Sequence, residues 1–518
     1  LFDFLHRRTP WHRRLWSIGT FLGLEEVVEY SRVRREANLP PDGLKHVAAS
    51  MRREIALDPG AAPVADQISK ILQRAERIDG NDENALEHLA QRVDDGYLSR
   101  WATAIAADTL PPVERTARSI ASHLLDKGFS SDHLYRWLDA DRHRHGEPDL
   151  ARVLAEAAAM SSATVIPSYE VLVPCSIPGR PTRLPAAVRW MDAAEVAREI
   201  AKLRPDEPKP RQGGAFLLKV TERDPWAAVE AANELIARVA ARVQLGRPGP
   251  GVVRATGVAY VVGSDREFHL RPPRRQLDVH ALHRQGAVFD VDPGDSRQLD
   301  DALELAAYLE TGSAGAAITG GWAAVEGLLL HPGERGHVVA ADRLANIVAC
   351  SVGRAELTPL AFAHEKHGDD DLASRLRDMD ATSSNYERVR LVERHLRSES
   401  ALIVASASDS AALDRVRAIL SNPQDELSRI THYVQDTFRR LYNQRNLVMH
   451  GGSFRSLALT ATLRTAPPLV GAGLDRIVHA QLGAERSSSP LALSARAETE
   501  LGLLDTPGAS LIVDLLGR

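Results

Sequence analysis

The stretch DELSRITHYVQDTFRRLYNQRNLVMHGG, residues 425–452, decides how the C-terminal part of the chain is read. Leu427, Ile430, Val434, Phe438, Leu441 and Val448 mark one apolar stripe at helical spacing, and Arg445 stands where that stripe calls for another apolar side chain. The pattern predicts one long helix, stopped by Gly451 and Gly452. A guanidinium facing a core is costly unless it is paired and hydrogen-bonded, so Arg445 demands partners. Asn446 and His450 are four residues apart and therefore share a face, about 100° round the helix from Arg445. His450 falls in the last turn, where the negative helix end favours an imidazolium.

Outward from this helix the chain remains helical. SRQLDDALELAAYLE (296–310), AAITGGWAAVEGLLL (316–330), HVVAADRLANIVACSV (337–352) and NYERVRLVERHL (385–396) all carry one apolar face. Between about 160 and 292 the character changes. SYEVLVPC (168–175), AFLLKVTE (215–222), GVAYVVG (257–263) and EFHLRP (267–272) read as strands, and DPWAAVEAANELIARVAARVQLG (224–246) as a helix with Asp224 as N-cap. Toward the N-terminus, ADQISKILQRAERI (65–78), NALEHLAQRV (84–93) and RTARSIASHLLDKG (115–128) are helical again, separated by Pro/Gly breaks. The fold class that follows is multidomain α+β and mostly helical. We expect a helical region over 1–150, a small α+β domain over 155–292 and a helical bundle over 293–518, with the last boundary at VDPGD (291–295).

A chain of 518 residues has room for several domains, and 44% apolar with 26% charged residues excludes wholesale disorder. The net charge of −5 offers no overall attraction to nucleic acid, so any basic surface must be local. Arg outnumbers Lys by 57 to 7, which we read as coding bias rather than function. Cys175 and Cys350 alone cannot build a zinc site and fit a reducing compartment. The longest apolar run near the start, LWSIGTFLGL, spans about half of what a bilayer needs, and no secretory signal is visible. The expectation is a cytoplasmic protein without membrane association. The chain starts at Leu1 rather than Met, which leaves room for residues ahead of it.

Arg445 and His450 form an R-x4-H pair, but so do Arg7/His12, Arg118/His123, Arg275/His280 and Arg390/His395. Chance alone yields roughly two such pairs at this composition, so spacing carries nothing and context must choose. Other candidate sites are weaker. HEKHGDDD (364–371) gathers His364, His367 and three aspartates without zinc-protease spacing, and reads as a solvated acidic loop. DRHRHGEPD, with His143 and His145, and RPPRRQ (271–276) read as solvated loop and turn. LHRRTPWHRRLW (5–16) mixes Arg with Trp11 and Trp16, suiting either RNA stacking or an amphipathic helix covering another domain. No P-loop and no G-x-S-x-G elbow occurs.

RN-x3-H followed by GG, at the end of a long helix in a helical C-terminal domain, resembles the HEPN superfamily, especially its Apea-like branch. GGWAAVEGLLL looks like that family's second helix, whose acidic residue matches Glu326. The resemblance covers about residues 296–480, with only a few specific positions. It implies a helical-bundle endoribonuclease that needs no metal or other cofactor. Catalytic members serve as toxins or anti-phage effectors that cut RNA, here tRNA or mRNA, and are held in check by an antitoxin or sensor protein. RNA brings its own nucleophile, the 2′-hydroxyl. His450 would then act as general base or acid, Arg445 would bind the phosphate, Asn446 would hold the imidazole or the phosphate, and Glu326 would orient Arg445 by an ion pair. One chain offers one convincing histidine where the reaction needs a base and an acid, so the active form is expected to be a homodimer or higher oligomer with both Arg445–His450 pairs round one groove. The same residues also fit a structural ion pair with a helix-capping His450, and non-catalytic HEPN modules that bind RNA or nucleotides, or scaffold a defence complex, carry the same fold.

Overall fold

A computed structural model describes the chain apart from residues 7–8, 15–16, 38, 40, 108–111, 147–148, 180, 204–212, 247–251, 271–274, 292–296, 335, 380–384, 453–455, 484–486, 507–510 and 518. The protein is mostly helical with one small antiparallel sheet, which agrees with an α+β class. Its contacts form two compact units. Residues 1–7, 57–63 and 91–274 make the first, and residues 8–56, 64–90 and 275–518 the second. This grouping departs from the spans 1–150, 155–292 and 293–518. The helices Thr20–Ala37 and Asp42–Ile55 belong with the C-terminal helices, for a reason visible at the candidate site. The expected boundary at 291–295 lies largely outside the described residues, and the last segment of the second unit already begins at Arg275.

The first unit is built round six strands: β1 (Ser168–Ser176), β2 (Val188–Asp192), β3 (Gly214–Thr221), β4 (Arg254–Ala255), β5 (Val258–Val261) and β6 (Glu267–His269). Their order is β2-β3-β1-β5-β6, with β4 also pairing with β1. The four strands read from the sequence are all present. β1 and β3 run antiparallel from Ser168 opposite Thr221 to Cys175 opposite Gly214. Val171, Val173 and Cys175 share one face with Phe216 and Leu218 and pack on Ala228, Ala232 and Ile236 of the helix Pro225–Gly246. Leu172, Ala215, Met191 and Tyr260 line the other face against Val196 and Ile200 of the helix Ala193–Leu203. A helix on each face explains why Val171 to Cys175 are buried without alternation.

Strand β2 and the helix after it escaped the sequence reading, although Asp192 and Glu195 form a capping box. Glu195 N–H donates to Asp192 Oδ1 at 2.9 Å and Asp192 N–H to Glu195 Oε2 at 3.0 Å. Asp224 caps as expected, accepting from Trp226 and Ala227 N–H at 2.9 Å each. It also accepts from Ser130 N–H at 2.7 Å and Ser130 Oγ at 2.8 Å, so one buried carboxylate holds two helix starts.

The second unit is all helical. The long helices Val338–His367 and Pro423–His450 pack together, with Ala314–Leu329 and Leu459–Val478 closing a core that includes Trp322, Val348, Phe438 and Val470. Gly320 and Gly321 let the helix Ala314–Leu329 approach the preceding Gln298–Thr311. A Cβ on Gly320 would lie 2.7 Å from the Leu305 carbonyl oxygen, and one on Gly321 would lie 2.9 Å from the Leu309 side chain. No helix among the described residues is long and apolar enough to cross a membrane.

Stability of the first unit is expected to depend on pH through His123. Its ring is buried, stacked on Tyr97 with centroids 4.4 Å apart, and within 3.1 Å of Ser161 Oγ. Burial first, then Lys127 and Arg100, pushes it from 6.5 down to about 3. Between those values the unfolded chain takes up a proton that the folded chain refuses. The contribution is therefore complete above pH 6.5 and lost as pH falls through the window down to about 3. His123→Phe should flatten the decline of Tm across that window, and an unchanged slope would exclude this ring as a principal titrating group.

Candidate active site

The helix Pro423–His450 has the length and position that its apolar spacing predicts. Leu427, Ile430, Val434, Phe438, Leu441 and Val448 are all buried along one face. Part of its polar face is buried as well. Glu26, on the helix Thr20–Ala37, is 0% exposed and accepts from Arg440 Nε at 2.9 Å, Arg440 itself being 6% exposed. Gln444 Nε2 reaches the other oxygen of Glu26 at 3.4 Å. Asp436 accepts from Ser50 Oγ and Arg53 Nη2 at 2.8 Å each, and Asn443 donates to the Gly43 carbonyl at 3.4 Å. The two N-terminal helices thus cover what a helical wheel would assign to solvent.

At the far end of this helix the expected trio converges. Arg445 is half-buried, off the deep stripe, and its Nη1 donates to Asn446 Oδ1 at 3.1 Å. The same Nη1 lies 3.3 Å from His450 Nε2. A guanidinium only donates, so His450 accepts on Nε2 and carries its proton on Nδ1 in this arrangement. Asn446 is buried and hydrogen-bonds Tyr30, whose hydroxyl is pushed up to about 12, chiefly by burial. His450 is exposed. Gly451 ends the helix with its N–H on the Leu447 carbonyl at 3.1 Å, and a Cβ there would fall 2.5 Å from Val33. Gly452 follows with φ +62°, a conformation that suits glycine. Residues 453–455 lie outside the described residues.

Glu326 does not orient Arg445. Its carboxylate is hydrogen-bonded to His337 Nδ1, and among the described residues Arg445 has no carboxylate partner. The helices carrying them do pack together, through Trp322 and Tyr442 with ring centroids 5.0 Å apart. The expectation failed because Arg445 lies at the edge of the stripe and satisfies itself along its own helix. Neither Tyr30, Glu26, His337 nor Tyr442 was singled out from sequence. Glu26 sits in an apolar helical stretch, an anomaly that could have flagged it, but no local pattern names a partner at Arg440.

The other R-x4-H pairs behave differently. Arg118 and His123 are both buried, Arg275 donates to the Leu309 and Gly312 carbonyls, Arg390 meets Asp514 at 3.2 Å, and Arg7 lies outside the described residues. His364 is not in a solvated loop. It is buried at the end of the helix Val338–His367, its Nδ1 accepting from Ile403 N–H at 3.0 Å and its Nε2 facing Asp370 Oδ1 at 3.0 Å. His143 and His145 lie in the last turn of the helix Ser131–His145, beside Asp139 and Asp141. Among the described residues no group of three or more His, Cys, Asp or Glu is arranged to hold a metal ion. Of RPPRRQ, Arg271–Arg274 lie outside the described residues. In the N-terminal segment Trp11 packs on the helical core and Arg13 pairs with Asp409 at 2.8 Å, so these two residues cover the bundle of their own unit.

Compared with family models, with curated proteins and with solved structures, the chain matches none.

The two acidic residues separate in a stability test. Glu26→Ala leaves Arg440 buried without its carboxylate and should cost about 3–5 kcal/mol in urea unfolding. Glu326→Ala breaks only a partly exposed pair and should cost under about 1 kcal/mol. Equal losses would refute this assignment.

Proposed function

We propose that the Arg445–His450 end of the long helix is the active site of a metal-independent endoribonuclease of the HEPN type. One observation carries the reading: a half-buried guanidinium with no carboxylate partner among the described residues lies 3.3 Å from an exposed histidine whose Nε2 accepts. A cation held without a counter-charge is a ready site for a phosphate, which it can grip with two parallel hydrogen bonds. When the phosphate takes the guanidinium, Nε2 of His450 is released to remove the 2′-hydroxyl proton. The oxygen so activated attacks the adjacent phosphorus. Arg445 stabilises the charge that builds on the non-bridging oxygens, and the 5′-oxygen leaves with a proton. Asn446, fixed between Tyr30 and Arg445, positions the guanidinium. Glu326 is left out of the proton transfers.

The base and the acid must stand on opposite sides of the phosphorus, and one chain brings one R-x4-H histidine to this end. A homodimer about a two-fold axis near the helix end supplies the second, through an isologous interface. We place the protein in the cytoplasm as a growth-arresting toxin or anti-phage effector acting on tRNA or mRNA, with an antitoxin or sensor partner.

Incubation with tRNA and mRNA in EDTA should yield 2′,3′-cyclic phosphate or 3′-phosphate and 5′-hydroxyl ends. His450→Ala should abolish cleavage with little change in Tm, whereas Arg445→Ala should cost at least a hundredfold in kcat/KM. A magnesium requirement, or RNA binding with no cleavage by the wild type, would refute the reading. Excess His450→Ala protein mixed with wild type should depress activity beyond dilution, and a strictly linear dependence would exclude the shared site.

A further inference from the structure

Three aromatic rings lead from the core of the second unit to its surface beside the candidate site. Trp322 is 0% exposed, and Tyr442 is half-buried with its ring centroid 5.0 Å from it. His337 lies beyond, its ring nearly parallel to Tyr442 at 16° with centroids 6.3 Å apart. The His337 side chain is 50% exposed, so about half of it is open to solvent while its ring neighbours Tyr442. Glu326 fixes the outer ring by accepting from Nδ1. That bond leaves Nε2 free of a described partner. Tyr442 stands three residues before Arg445, on the same side of the helix, a rise of about 4.5 Å with Cβ atoms about 5–6 Å apart. A base and the phosphate next to it can bridge such a spacing.

We propose that His337, clamped by Glu326 and backed by Tyr442, is a stacking platform for the nucleobase next to the phosphate held at Arg445. The ligand is single-stranded RNA, and the proposal rests on the ribonuclease reading of that end. An aromatic ring of fixed orientation that is open to solvent stacks any base, because every base presents a π-face. Glu326 is then a positioning residue for the platform, which accounts for an acid on this helix that does not touch Arg445.

The test uses the full chain and 2′-fluoro RNA hexamers, which lack the nucleophile and so report binding alone. His337→Ala should weaken binding about tenfold, the usual scale for loss of one stacked base. His337→Phe keeps the ring and should stay within about twofold of wild type. An abasic site at one position should weaken wild-type binding by the same factor and leave His337→Ala unaffected. On cleavable RNA the loss should appear in KM rather than kcat. Glu326→Gln should fall between the two His337 variants, and Tm measured alongside should be unchanged throughout. The platform is overturned if His337→Ala binds like wild type, if His337→Phe is as weak as His337→Ala, or if wild type does not bind the hexamers. The two proposals fail separately. Binding with these ratios but no cleavage of ordinary RNA removes the ribonuclease and leaves the platform, whereas cleavage with an indifferent His337→Ala removes the platform alone.

Discussion

The ion pair between Glu26 and Arg440 is the constraint on which the second unit depends. Both groups are withdrawn from water, at 0% and 6% exposure, and each would be strongly unfavourable there alone. Their mutual bond, with Gln444 on the second carboxylate oxygen, makes burial tolerable only while the helix Thr20–Ala37 lies against the helix Pro423–His450. An early segment and a late one are thereby held in one body. Apolar packing alone would not choose that docking, since the face involved carries Asp436, Arg440, Asn443 and Gln444. Polar complementarity chooses it.

The candidate site inherits its order from this docking. Tyr30 belongs to the same helix as Glu26 and reaches Asn446, whose carbonyl oxygen holds Arg445. The guanidinium is aimed by neutral groups rather than by a carboxylate, so its charge remains available to an incoming anion. An acidic partner would have fixed it equally well and cancelled that charge. The same logic applies to His450, whose Nε2 is engaged by a donor that a phosphate can draw away. Arg445, Asn446 and Tyr30 therefore form a chain of hydrogen bonds from the interior to the helix end.

In the first unit Asp224 plays a comparable part. It joins the starts of two helices through one buried carboxylate. The sheet beside it is covered on both faces, and strand β1 is consequently apolar in an unbroken run.

Local chemistry was legible in the sequence where a long period expresses it, though the short strand β2 and the capped helix after it escaped. The long helix to His450, four strands, the helix that follows Asp224 and the proximity of Arg445, Asn446 and His450 follow from spacing along one stretch of chain. Residues within five positions on a helix have their geometry set by its pitch. What the sequence could not supply was every relation between distant segments. Glu26 and Arg440, Tyr30 and Asn446, and Glu326 and His337 are pairings that no period connects, and a carboxylate chooses its partner by position in space. The Arg445–Glu326 pair failed for that reason: it was carried over from the resemblance of GGWAAVEGLLL to a family helix, and nothing in either segment placed the two side chains within reach. Tertiary structure decided instead which polar faces are buried, because only the docked helices determine where water is absent.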